Sequence, residues 1–509
     1  MRHLAISLAL VSAALLGACS SSSNDDAPAA GTVGASGAAG ASGASGTSGA
    51  SGTSGASGAS GAAAIDPFAP TKDTSEGLVN VAGDVSAVLQ KGEIEGACAK
   101  WFAGGADRRT KLLCGKWMFF YEGFGASGPP AAIMKFLVQN LPDHVGPGFS
   151  KMGMVADPSS PEQLPLGLAP GAKLGTLDTV TYTCASCHFA RLPDGRYAVG
   201  APNHAYDYGL QTLSFALLPL LVLGSDESNH DPLAVSRVKP MVELLQKDAA
   251  LKQKLYEVLA PLAQSSSMPP AFPKEAQHHY ASWLPGTQDF LIEPLPINDG
   301  VHTVSKISAL WGIPDAAEMA RTGMPHAMLG FTGSTTSFRH FLRGFVDLAG
   351  TSNATWPDEK LDPLEEYVLS LRAPKNPSPP PAADVEKGRA LFSSKGCISC
   401  HAGANASGQR IFTFDEIGTD RAMQQWGDVK VYSGGDQKTG GIKAPRLNGS
   451  WAMGRFLHNG SVPTLEGVFC KEGPRGTITE QPFGDMGHDF TCNLAADEKT
   501  ALIAYLRAN

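Results

Sequence analysis

Two pentapeptides carry the residue types best suited to redox chemistry: Cys184-Ala185-Ser186-Cys187-His188 and Cys397-Ile398-Ser399-Cys400-His401. In a Cys-x-x-Cys-His run both thiols reach one edge of a porphyrin and add to its vinyl groups as thioethers. The histidine that follows turns beneath the ring to ligate iron. With 9 cysteines and 13 histidines in 509 residues, chance would supply this pattern roughly 0.004 times per chain. Here it occurs twice. Zinc would ask for a second Cys/His pair nearby, and a redox dithiol for a βαβ setting; neither surrounds either motif. The spacing therefore predicts two covalently bound c-type haems (iron), with Cys184, Cys187, Cys397 and Cys400 as attachment points and His188 and His401 as iron ligands.

What each iron does depends on its sixth position. A filled position suits electron transfer, and an open one admits peroxide or dioxygen. For the second haem the best candidate is His458, in Phe456-Leu457-His458-Asn459-Gly460-Ser461, with Met453, Met486 and His488 as rivals and a hydrogen-bonded loop histidine as the alternative reading. For the first haem the nearest candidate is His204, which could equally be a surface-loop residue. Arg191 and Arg196 are candidates to neutralise haem propionates, although an exposed arginine is the commoner explanation.

The elements that must position these residues are mostly helical. Val385–Phe392 reads as a helix delivering Cys397 through the turn Ser393-Ser394-Lys395-Gly396, and Asp497–Leu506 puts Leu502, Tyr505 and Leu506 on one face. Around the first motif, helices are expected over Ala131–Asn140 and Tyr208–Leu223, and over Asp231–Gln264 with interruptions at Pro240 and Pro261. Leu192-Pro193-Asp194-Gly195-Arg196-Tyr197 reads as a turn between short extended pieces. The expected fold class is mainly α and loop-rich, with two cytochrome c-like domains and long insertions.

The C-terminal helical pair resembles the cytochrome c domain, in which the first and last helices cross where a glycine faces an aromatic ring; Gly388 and Tyr505 match. The stretch Lys443–Leu465, including Leu447-Asn448-Gly449-Ser450-Trp451 and His458-Asn459-Gly460-Ser461, resembles the dihaem cytochrome c peroxidase and rubber oxygenase superfamily. Gly487-His488-Asp489-Phe490 before the terminal helix is similar to the rubber oxygenase branch. The resemblance implies that His458 completes a six-coordinate, electron-relaying second haem and that the first haem is the reactive one. It also implies pocket or relay roles for Trp311 and Phe331, although most tryptophans in such positions are simply core. The glutamate that peroxidases use as acid-base group and their axial methionine have no counterpart that aligns, and the chain is shorter than the rubber oxygenases.

Met1-Arg2-His3 and the apolar run Leu4–Leu16 form a secretory signal too short to span a bilayer. Leu16-Gly17-Ala18-Cys19 resembles a bacterial lipobox, so residues 1–19 are read as a lipoprotein signal and Cys19 as the acylated residue. This predicts a lipid-anchored protein of the bacterial cell envelope, at the outer membrane or the periplasmic face, with no other membrane contact. Gly31–Ala64 is Gly, Ala, Ser and Thr with one valine, cannot bury enough surface to order itself, and within residues 20–64 makes a tether reaching roughly 30 Å. The folded part divides into a first haem domain over 65–225, an inter-haem segment and Pro-rich linker over 226–382, and a second cytochrome domain over 383–509. In an oxidising compartment the four remaining cysteines are expected to pair locally as Cys98–Cys114 and Cys470–Cys492, the alternative being four free buried thiols. A net charge of −8 with no basic face argues against a nucleic-acid partner. The expected partner is a redox protein or a small electron donor or acceptor. Together these features predict a haem-based oxidoreductase, peroxidase-like or oxygenase-like, with a relaying C-terminal haem and an open N-terminal one. The alternative is a pure electron-transfer cytochrome with both haems six-coordinate.

Overall fold

The computed structural model describes residues 67–68, 73–263, 272–289, 302–349, 351–352, 354–408, 410–424, 439–478 and 482–509. The signal sequence, Cys19 and the Gly31–Ala64 tether lie outside the described residues. The chain is mainly α and loop-rich: among the described residues the strands form one three-stranded and three two-stranded sheets, and helices make up most of the regular structure.

Ala131–Asn140 is helical with Ile133, Met134, Phe136, Leu137 and Val138 buried. The single helix expected from Tyr208 to Leu223 is instead two, Tyr208–Ala216 and Leu218–Val222. Pro219 explains the break, because a residue without an N–H fits only the first turn of a new helix. Pro240, by contrast, lies inside the continuous helix Pro232–Lys247, whose buried stripe of Val235, Val238, Met241, Val242 and Leu245 outweighs one lost backbone bond. The interruption falls at Asp248, whose carboxylate accepts the N–H groups of Ala250 and Leu251 and so starts Ala249–Ala263, within which Pro261 sits. These helices, with Tyr206, Tyr208, Tyr280 and Trp283, enclose the first apolar core.

A second core gathers the helices Lys91–Phe102, Arg108–Tyr121 and Asp358–Ser370 around Trp311 and Trp356. The Cys98–Cys114 disulfide joins the first two of these, and a Cβ on Gly115 would lie 2.0 Å from the Pro363 carbonyl, so the third helix passes in backbone contact. Each core takes residues from both sides of position 225. Met134 packs in one core with Trp283, and Phe189 in the other with Trp356. The segment expected to link two haem domains is therefore built into the core around the first motif.

The C-terminal part has its own core, formed where Ala382–Ser394 crosses Ala496–Ala508. A Cβ on Gly388 would meet Ala501 O at 2.0 Å and the Tyr505 Cβ at 2.7 Å, so the glycine facing Tyr505 is a steric requirement of the crossing. The second expected disulfide, Cys470–Cys492, is also formed. Closing a loop of this kind contributes about 3 kcal/mol in the chain-entropy account.

Candidate haem sites

The first motif forms one turn of helix, Cys184–His188, because Thr183 caps it: Thr183 Oγ1 accepts the Ala185 N–H and donates to Phe120 O at 3.1 Å. Its backbone is pinned from outside. The N–H of Gly200 donates to His188 O at 2.7 Å and that of Asn203 to Cys187 O at 2.8 Å, while Gly167 passes so closely that a Cβ there would lie 2.2 Å from Ser186 N. The hairpin Phe189–Arg191 with Tyr197–Val199, in the register Phe189 to Val199, returns the chain to make the Gly200 contact. Cys184 packs against the second core and Cys187 against the first, so the motif sits on the seam between them.

On that seam both thiols and the His188 ring open onto a cavity of about 450 Å³. Its lining includes Phe124, Phe341 and Phe345 as well as the cations Lys306, Lys443 and Arg446. Burial pushes the Cys184 thiol up to about 12 and that of Cys187 up to about 11. A reactive dithiol would be shifted the opposite way. Among the described residues no group of three or more His, Cys, Asp or Glu is arranged to hold a metal ion, so zinc finds no complementary ligands at either motif. His188 is held near pKa 4 by burial, and its Nδ1 is buried with no hydrogen-bond partner in this structure. Two thiols and one neutral imidazole converging on one apolar cavity fit a thioether-linked haem.

His204 is not free to serve as a ligand. Its Nδ1 accepts the Gly454 N–H at 3.0 Å, which makes Nε2 the donor to Ile307 O at 2.8 Å. Arg191 and Arg196 also lie apart from the cavity lining: Arg191 Nε donates to Gly195 O, and Arg196 pairs with Asp194 at 2.6 Å. The cations that do line the cavity, Lys306, Lys443 and Arg446, were missed at the level of sequence. Their only signal was a pair of basic residues among apolar and proline neighbours in Ile442-Lys443-Ala444-Pro445-Arg446.

The second motif is a tight turn, Cys397–Ser399, entered through Gly396 at φ 79°. His401 donates from Nδ1 to Ala406 O at 3.1 Å, leaving Nε2 for iron, and burial holds the ring near pKa 4. The ring of His488 stands 6.2 Å from it, centroid to centroid, with the planes at 70°. Two imidazoles bound to one metal from opposite faces, each with a metal–nitrogen distance of about 2.0 Å, have centroids roughly 6 Å apart. His488 is partly buried; desolvation first and then the His401 charge hold its ring near pKa 3, and its Nδ1 has no partner. Its backbone is left-handed at φ 61°, a strain seen where surrounding structure dictates a residue's aim.

His458, the ring expected opposite His401, is engaged elsewhere. Its Nε2 lies 3.1 Å from Asp420 Oδ2 and its Nδ1 3.3 Å from Thr419 Oγ1. Next to it, Asn459 Nδ2 donates to Asp420 Oδ2, Pro482 O and Gly484 O, and Ser461 Oγ donates to Gly484 O at 3.1 Å. The His-Asn-Gly-Ser run thus ties 419–420 to 482–484. The same strip receives the loop of His488, because the His488 N–H donates to Ile417 O at 3.0 Å and Gly487 packs on Thr419. Of the other rivals, Met486 is exposed and Met453 lines the first cavity.

Trp311 is fully buried, donates from Nε1 to Val199 O at 2.8 Å, and accepts from Arg446 Nε at its own carbonyl. Phe331 lines the first cavity and also packs against the small core of Phe412, Phe414, Met423 and Ile442 on which Cys400 rests.

A family model described as RoxA-like, cytochrome c-like, matches residues 441–473. The matched stretch contains Lys443, Arg446 and His458. No curated protein matches the chain. Among solved structures, a chain of hydrazine synthase from Kuenenia stuttgartiensis, pressurised with xenon, is similar at 18% identity and a TM-score of 0.25, covering 45% of this chain and 79% of that one. The match over this short stretch, together with the two Cys-x-x-Cys-His motifs, supports a cytochrome c-like protein with covalently bound c-type haem.

Proposed function

We propose that the chain is an exported dihaem oxidoreductase in which the C-terminal haem relays electrons and the N-terminal haem is open to a small oxidant such as peroxide or dioxygen. The observation that carries this reading is an asymmetry. His401 faces a second imidazole, that of His488, at the separation of an axial pair. His188 faces a cavity, and the histidine nearest to it in sequence, His204, has both ring nitrogens occupied.

When bound, haem supplies one-electron chemistry at iron, and its axial ligands decide whether that iron transfers electrons or binds a substrate. The protein's own residues do the rest. His188 and His401 are kept neutral by burial and hence able to ligate. His488 would close a haem held by His401 to exogenous ligands. Phe124, Phe341 and Phe345, whose rings pack on one another, keep part of the first cavity's wall apolar and exclude water, while Phe331 also packs on the small core against which Cys400 rests. A redox protein or a small donor would deliver electrons at the second site. Lipid anchoring at Cys19 and the tether would hold the body at the envelope surface.

The test is ligand binding by protein matured in a host competent for cytochrome assembly. Pyridine haemochrome should give two haems per chain, and carbon monoxide or cyanide should perturb half of the haem absorbance. If neither haem responds in either oxidation state, both are six-coordinate and the chain is an electron carrier.

A further inference from the structure

Lys306, Lys443 and Arg446 all line the cavity onto which Cys184, Cys187 and His188 open. Lys306 and Lys443 are 9% and 8% exposed. Some partly buried arginines elsewhere have carboxylate partners, as Arg237 has Asp207 and Arg339 has Asp362 and Glu365, while Arg455 and the buried Lys116 each donate to two backbone carbonyls. Among the described residues none of Lys306, Lys443 and Arg446 has a carboxylate partner. Lys443 donates only to the neighbouring Ala444 O, at 3.0 Å, and the Lys306 ammonium lies 5.7 Å from the Phe456 ring. Arg446 spends Nε and Nη2 on the carbonyls of Trp311 and Ala309, leaving donors of its five-donor fork unspent.

The ammonium of Lys443 is held near pKa 7, first by its burial and then by the charges of Arg446 and Lys306. A buried cation without a counter-charge costs several kcal/mol, so three around one cavity point to an anion that belongs there. The cluster also borders the second motif: Ile442, next to Lys443, shares a small core with Cys400, and a Cβ on Gly408 would lie 2.9 Å from Cys400 O and 3.1 Å from the Ala444 Cβ.

We propose that Lys306, Lys443 and Arg446 form a carboxylate cradle between the two haem sites, neutralised by haem propionates, with Lys443 shared by both. This rests on the dihaem reading above. A c-type haem tied by its vinyl edge to a cysteine pair still carries two free carboxylates, so two haems bring a supply of anions that the protein itself withholds from this cluster. The cradle orients the first haem relative to its cysteines. It also sets the redox potentials, because a nearby cation disfavours the ferric state, which bears one more positive charge than the ferrous.

The test uses full-length holoprotein. Haem content is measured first; fewer than two haems in the wild type overturns the dihaem reading and leaves the cradle without its ligand. Spectroelectrochemical titration then compares Lys443→Met, Arg446→Gln and Lys306→Met with wild type. Lys443→Met should lower the midpoint potentials of both haems and Arg446→Gln chiefly that of the N-terminal one, while Lys443→Arg should restore values near wild type. Arg196→Gln, which removes a cation paired with Asp194, should shift neither. Unchanged potentials in the cradle variants, each still carrying two haems, overturn the proposal. So does a wild-type potential that moves with added inorganic phosphate, since the cations would then be holding an exchangeable anion. If Lys443→Met does not mature, the other two variants decide on the same criterion.

Discussion

A buried imidazole nitrogen without a partner is expensive, and this chain has such nitrogens at His188 and His488. At His488 the backbone is also left-handed, and its ring stands 6.2 Å from that of His401, the separation expected of an axial pair. His458 makes the complementary case, since its two nitrogens are taken by Asp420 and Thr419. His488→Ala should therefore convert the C-terminal haem to a high-spin spectrum that binds carbon monoxide. His458→Ala should leave it low-spin while costing about 1–3 kcal/mol in denaturant unfolding, because the Asp420 side chain, 2% exposed, loses its histidine partner. A low-spin His488→Ala protein would remove that assignment. Lys116 offers an independent check at the same scale. It is fully buried, donates to Val79 O at 2.7 Å and to Val88 O, and is held near pKa 7 by burial, against 10.5 for a free lysine. Between those two values the unfolded chain binds more protons than the folded one, so stability rises with pH across this window, by at most about 1.4 kcal/mol per pH unit. Urea unfolding at pH 7 and pH 9 should show that rise in wild type and a smaller one in Lys116→Met.

The crossing of Ala382–Ser394 with Ala496–Ala508 is the most constrained contact between elements. Gly388 admits no side chain without moving the Ala501 carbonyl or Tyr505. Gly388→Ala should destabilise the C-terminal part by about 1–3 kcal/mol, the usual cost of overpacking. A stability equal to wild type would mean that the two helices can separate freely. Elements also explain why the second site can be tightly held though its ligands come from loops. The His488 loop leans on Ile417 and Thr419, the His-Asn-Gly-Ser run braces those residues from behind, and the disulfide at Cys492 anchors the chain four residues on. Such outer contacts commonly fix the orientation of a metal-ligating ring.

For the whole molecule, the first motif lies on a seam between two interleaved cores, each assembled from segments far apart in the chain. A seam is where a large planar group can be buried without breaking either core. The proposed N-terminal anchor belongs to this scale too. If Cys19 carries a lipid, Cys19→Ser should release the protein from membranes into the soluble fraction with its haem spectrum unchanged, because the Gly/Ala/Ser-rich run would separate that lipid from the folded body. Continued membrane association would count against Cys19 as the anchor.

The two Cys-x-x-Cys-His motifs, the helical class and the Gly388–Tyr505 crossing were legible in the chain because each is a local chemical pattern: adjacent thiols and a histidine, a 3.6-residue period, a glycine where a side chain would clash. The two disulfides were also foreseen, since an even number of cysteines in sequence-local pairs leaves little choice. Which histidine faces His401 was a different kind of question. His458 and His488 are both histidines in loops rich in glycine and polar residues, and only the folded positions of Asp420 and Thr419 occupy one ring while the other stands 6.2 Å from His401. The cation cluster shows the same limit. Lys306 is more than a hundred residues from Lys443 and Arg446 in the chain, and nothing in either stretch announces the other. Tertiary packing alone brought three like charges to one cavity, where the cost of burying them unpaired identifies what they await.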